Sequence, residues 1–171
     1  VGCVPDYLPG YRPVADEDAR AVPQRAWDAQ SPPSNQGLAL KDIALAIGQG
    51  RVKALLLMGD SLNFTNGELG DFIEALKGLE FLVVQDTFAG ELTEVADAVL
   101  PSATFAEKEG TYTNMERRVQ PLRNVLSVDG SLAMPDWWIT CQIAQAMNAG
   151  GFDYHCAAQI LDEISRLIPS Y

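Results

Sequence analysis

A chain of 171 residues, 47% hydrophobic and 20% charged, has the size and apolar content of one soluble globular domain rather than a disordered segment. Twelve Lys and Arg against 23 Asp and Glu leave a net charge of −11, which argues against a polyanion such as nucleic acid as a partner. No apolar run approaches the ~20 residues that a membrane span needs, so membrane insertion is not expected.

The chain opens at Val1 with neither a basic leader nor an apolar h-region, and the reading is a cytoplasmic protein cut from something longer. Cys3, Cys141 and Cys156 are widely spaced and form no CxxC pair, so ordinary reduced thiols are expected.

Residues 1–36 carry six of the ten prolines: Pro5, Pro9, Pro13, Pro23, Pro32 and Pro33. Proline disfavours long helices and sheet interiors, so this stretch is expected to be an extended Pro-rich arm. A short helix is allowed around Asp16–Trp27, where Asp16 can cap and Glu17 and Asp18 suit the first turn.

From residue 37 to 171 helices and strands alternate. Leu40, Ile43, Ala44 and Ile47 recur at helical spacing until Gly48 and Gly50. Ala54–Met58 is an unbroken apolar run, expected to be a strand buried on both faces. Phe72, Ile73 and Leu76 mark a second helix ending near Gly78, and Phe81–Val84 a second buried strand. A short helical stretch over Glu91–Ala96 precedes Ala98-Val99-Leu100, closed by Pro101. Thr111–Gln120 alternates with β-prone residues and reads as a hairpin or an irregular excursion. Helices follow over Met134–Met147, opened by Pro135-Asp136, and over Cys156–Ile168. The pattern predicts an α/β fold with a Rossmann-like parallel sheet and flanking helices, linked by right-handed crossovers.

Ligands of such sheets bind beyond the carboxyl ends of the strands. Three polar loops leave strands in that sense: Gly59-Asp60-Ser61-Leu62-Asn63, Gln85-Asp86-Thr87-Phe88, and Ser102 through Asn114. Carboxylates and amides there suit guanine or ribose hydroxyls, although Asp60 or Asp86 could equally cap a helix. Arg117 and Arg118 could clamp phosphate or could form ion pairs with Glu107, Glu109 and Glu116 on an exposed hairpin. His155 has no triad around it, and Trp137-Trp138 reads as core packing. There is no Walker loop and no GxGxxG fingerprint.

Several ordered motifs resemble one family. Gln85-Asp86-Thr87-Phe88, Ala96-Asp97-Ala98-Val99-Leu100-Pro101 and the run from Phe105 to Gln120 resemble the molybdopterin oxidoreductases, particularly formate dehydrogenase catalytic subunits. Pro135-Asp136-Trp137 and Pro9-Gly10-Tyr11 extend the likeness over nearly the whole chain. The resemblance implies the third of four domains that surround two molybdopterin guanine dinucleotides holding molybdenum or tungsten. It implies cofactor contacts at Gly59, Asp60, Ser61, Gln85, Asp86 and Thr87, and further ones at Gly110, Thr111 and Arg117. Asp86 would accept hydrogen bonds from guanine or ribose. The metal-ligating residue and the iron–sulfur cysteines would lie outside this region, so the fragment alone is expected to be inactive. The partners implied are the remaining domains and electron-transfer subunits. Two departures stand in the loops: Gly59-Asp60-Ser61-Leu62 lacks the usual proline, and Leu92 replaces a usual threonine. They keep open a second reading, a cofactor-free scaffold like the large iron–sulfur subunit of NADH:quinone oxidoreductase. A generic nucleotide-binding domain would account for the sheet but not for the ordered motifs.

Overall fold

A computed structural model describes residues 4–28, 32–59 and 66–169. The centre of the fold is a three-stranded parallel sheet, β3 (Ala54–Met58), β4 (Phe81–Asp86) and β5 (Ala98–Pro101), with β4 in the middle. Helices α2 (Leu40–Gly48), α3 (Asn66–Leu76) and α4 (Glu91–Glu94) fall where the periodicity puts them. Gly50 ends α2 with φ +69°, a left-handed conformation that glycine adopts without a Cβ clash.

One face of this sheet forms the core. Leu57, Leu82 and Val84 pack there with Ile47 of α2, Phe72 and Leu76 of α3, and Leu92 of α4. Burial of such side chains contributes roughly 1.5–3 kcal/mol each before chain entropy is set against it. The expectation that β3 is buried on both faces does not hold. Its register pairs Leu57 with Val84 on the core face, while Leu56 and Met58 point the other way and are 40% and 51% exposed. All three helices contribute to one cluster, so they leave that half of the second face bare.

The expected extended arm is not seen. The described part of residues 1–36 folds into a short antiparallel hairpin, β1 (Tyr7–Leu8) and β2 (Arg12–Pro13), followed by helix α1 (Glu17–Ala26). Asp16 caps α1 as expected, its Oδ1 accepting from the amides of Asp18 (2.9 Å) and Ala19 (3.3 Å). Pro23 sits inside this helix, buried, and removes one of its backbone donors. The segment is held down by side chains that sequence spacing does not show. Arg12 donates to the carbonyl of Leu167 (2.8 Å), and Trp27 Nε1 donates to Glu163 Oε1 (2.6 Å). Both partners lie on α6 (Ala157–Leu167), whose apolar stripe was legible.

Beyond the sheet, β6 (Gly110–Thr113) and β7 (Val119–Leu122) make the expected hairpin, followed by α5 (Asp136–Ala146) and α6. Trp138 is 36% exposed, more open than a core residue. Cys141 is a buried free thiol and Cys156 a partly exposed one.

Glu163 also accepts from the hydroxyl of Tyr154 (2.6 Å), and burial together with this bond pushes that hydroxyl up to about 12. A folded-state value above the unfolded one of about 10 means stability that is complete below pH ~10 and lost as pH rises toward 12. Tyr154→Phe is therefore expected to melt at a lower temperature at neutral pH, with a deficit that shrinks between pH 10 and 12. A deficit constant across that range would show that Tyr154 titrates as freely in the folded chain as in the unfolded one.

Candidate functional site

The carboxyl ends of the three strands meet in a polar crest. Gly59 follows β3 with φ +81°, a left-handed turn that a Cβ would strain, and its amide donates to the carbonyl of Gln85 (2.8 Å). Asp60 and Ser61 lie outside the described residues. Gln85 and Asp86 close β4, and Thr87 leads away from it. Asp86 is nearly buried, and its Oδ1 accepts from the amides of Thr87 (2.6 Å) and Phe88 (3.1 Å). This is an Asx turn and not the helix cap left open for Asp86, because the N-cap of α4 is Gly90. Ser102, directly after β5, ties the third strand to the crest by donating its amide to the Asp86 carbonyl (2.8 Å).

Below the crest lies a cluster that sequence reasoning missed. Asp136, the first residue of α5, accepts from Gln85 Nε2 at Oδ1 (3.0 Å) and from the Lys108 ammonium at Oδ2. Burial alone would raise the Asp136 carboxyl. The Lys108 ammonium and the Gln85 amide outweigh it, and the carboxyl lies below its ordinary value. The helix start adds a favourable dipole for the anion. Among the described residues, Gln85 Oε1 and Ser102 Oγ find no partner, on side chains that are 1% and 4% exposed. Buried polar atoms are rarely left unpaired, because an unsatisfied acceptor or hydroxyl costs about 1–3 kcal/mol. Both therefore have capacity for a ligand group or an ordered water. Asp136 was read from the sequence as a first-turn carboxylate and a motif residue, and Lys108 only as part of a motif; the 51-residue separation of Gln85 and Asp136 gave no signal.

Gly110 and Thr111 sit apart from the crest. With Lys108, Asp136, Trp137 and Ile164 they line a cavity of about 300 Å³ against α6. Arg117 occupies the tip of the β6–β7 turn with φ +62°, and its amide donates to the Asn114 carbonyl (3.0 Å). It is not among the cavity's lining residues. Arg118 pairs with Glu116 (3.4 Å) on the same exposed turn. The predicted residues thus form three groups: the crest (Gly59, Gln85, Asp86, Thr87), the cavity wall (Gly110, Thr111) and the hairpin tip (Arg117).

The order of crest, cavity and hairpin follows the motif order in the chain, and comparison with known proteins gives that order a family. A family model described as molybdopterin oxidoreductase matches residues 19–146. The chain belongs to the molybdopterin oxidoreductase family. It is similar to the alpha subunit of F420-dependent formate dehydrogenase 2 of Methanococcus maripaludis, with 36% identity over 100% of this chain and 25% of the relative. It is equally similar to the alpha subunit of F420-dependent formate dehydrogenase of Methanocaldococcus jannaschii, with 37% identity over 100% and 25% of the two chains. The alpha subunit of NADPH-Fe(3+) oxidoreductase of Geobacter sulfurreducens is 37% identical over 100% of this chain and 19% of its own. The chain thus spans a quarter or less of each of these relatives.

The described residues at the strand ends offer hydrogen-bonding groups. Among all the described residues no group of three or more His, Cys, Asp and Glu stands where it could hold a metal ion. No helix among them is long and apolar enough to cross a membrane. The crest presents amides, carboxylate and hydroxyl groups at strand ends, which suits the base and sugar of a nucleotide.

Proposed function

We propose that this chain is a cofactor-contacting domain, residues 37–171, of a bis-molybdopterin guanine dinucleotide oxidoreductase of the formate dehydrogenase kind. The observation that carries the reading is the crest, with two buried polar atoms, Gln85 Oε1 and Ser102 Oγ, that find no partner among the described residues, in a chain of this family. Gly59, Asp60, Ser61, Gln85, Asp86 and Thr87 would meet one dinucleotide, and Gly110, Thr111 and Arg117 would meet it from the second loop system. The metal that the cofactor carries, molybdenum or tungsten, supplies two-electron redox chemistry, here formate to carbon dioxide. Iron–sulfur clusters and electron-transfer subunits would take the electrons onward from outside these 171 residues. This chain's own contribution is to bind and orient. The crest fixes the nucleotide end of the cofactor, so that the distant reacting end is held at a constant position.

The test is the composition of the full-length protein: molybdenum and tungsten by mass spectrometry, pterin fluorescence after oxidative release, and GMP after acid hydrolysis. Stoichiometric metal, pterin and GMP are expected. Their absence from protein that is folded and matured would remove this reading in favour of a cofactor-free scaffold. The likeness to an NADPH-Fe(3+) oxidoreductase subunit favours a second reading, in which NADPH rather than formate is the electron source. Reduction of a dye acceptor by formate, with none by NADPH, is the expected outcome; the reverse would favour the second reading.

A further inference from the structure

We infer that Asp136 is a positioning residue, held between Lys108 and Gln85, which fixes the spacing of the two loop systems that flank the dinucleotide. The inference rests on the reading that the crest and the Gly110–Thr111 wall both face that cofactor. Its basis is how the second loop is anchored. Residues 102–108 leave β5 tied by backbone at their start, where Ser102 donates to Asp86 and Ala103 donates to the Met134 carbonyl (2.9 Å). They are tied again further on, where the amides of Val125 (3.0 Å) and Leu126 (2.9 Å) donate to Ala106 and Asn124 Nδ2 donates to the Glu107 carbonyl (3.0 Å). That second tie runs to residues 124–126, on the far side of the hairpin, and not to the sheet. Past Ser102, side chains make the connection back to β4: Lys108 to Asp136 Oδ2, and Asp136 Oδ1 to Gln85.

Lys108 stands two residues before Gly110, so its position sets where β6 begins. Gln85 stands one residue before Asp86, so its position sets the crest. Asp136 joins them with one carboxylate oxygen for each, and α5 holds its backbone. The Lys108 side chain is 20% exposed and that of Asp136 42%, so the pair is partly shielded from water. A charge-assisted bond in such a place holds geometry better than a fully exposed ion pair. Neither side chain needs to touch the cofactor for this purpose.

The experiment uses full-length protein loaded with cofactor. Lys108→Met keeps most of the apolar stem and removes the cation. Asp136→Asn keeps the shape and the acceptor for Gln85, but turns the other oxygen into a donor facing Lys108. For each variant GMP retained per subunit is measured after repeated gel filtration, alongside the melting temperature of the apoprotein. Retention is expected to fall on the order of tenfold in each, as when the orienting partner behind a ligand is removed. The apoprotein melting temperature should move little, and Lys108→Arg should recover part of the retention. The double variant should lose no more than the worse single one, because both act through one strut. Unchanged retention in both single variants would overturn the inference while leaving the cofactor reading intact. Retention and melting temperature falling together would reduce the pair to a structural ion pair and overturn it as well. Wild-type protein without GMP would remove the reading on which the inference stands.

Discussion

Asp86→Asn in the full-length protein is expected to weaken dinucleotide retention by about tenfold to a hundredfold, the effect of losing a hydrogen bond to a charged acceptor worth about 1.5–3 kcal/mol. The substitution is chosen for what it keeps. Asparagine retains an Oδ1 that can accept from Thr87 and Phe88, so the Asx turn survives. What changes is the other oxygen, which becomes a donor where guanine or ribose would present a donor of its own. Asp86→Ala provides the contrast, since it also strips the acceptor from two turn amides and should lower the melting temperature too. The measurement is GMP per subunit after gel filtration, compared among wild type and the two variants. If Asp86→Asn holds GMP as tightly as wild type, Asp86 serves the turn alone and the crest contacts the cofactor through other groups.

The same residue shows how far the sequence could be read. A carboxylate at the end of a buried strand in an α/β pattern has two meanings, a helix cap or a ligand contact, and the residue type is the same for both. The structure realises no helix cap, since Oδ1 closes an Asx turn and Gly90 caps α4, and it leaves the ligand contact to experiment. Elements with a strong period were legible: α2, α3 and α6 fall where apolar spacing puts them. The Asp16 cap was legible because capping is local. Contacts that close over long separations were not. Arg12 reaches Leu167 across 155 residues and turns the Pro-rich stretch from an extended arm into a clamped hairpin. Lys108 reaches Asp136 across 28 residues, and that distance hides the cluster beneath the crest. Motif order singled out the loops, but no spacing rule says which side chains in them touch each other.

β3 carries the clearest case of a pattern with two structural meanings. An unbroken apolar run reads the same whether both faces are covered or only one, because the run reports composition and not contact. In this chain Leu57 is buried and its neighbour Leu56 is 40% exposed, although the two residues are identical in type and adjacent. Leu57→Ala is expected to cost about 2–5 kcal/mol, since it opens a cavity among Val84, Phe72 and their neighbours. In a protein of this size each kcal/mol lowers the melting temperature by about 2–4 °C, so a loss on the order of 5–20 °C should follow. Leu56→Ala removes apolar surface that is already partly in water and opens no enclosed void, so about 1 kcal/mol or less is expected. Thermal unfolding of the two variants of the 171-residue chain makes the comparison with residue type and backbone context held constant. Unequal losses would confirm that the core lies on one face of the sheet. Equal losses would mean that Leu56 also packs in solution, and that the bare face is covered by a second molecule. Repeating the pair in a longer protein then separates the two faces. There Leu57→Ala should keep its cost, while the cost of Leu56→Ala rises only if further chain packs over β3.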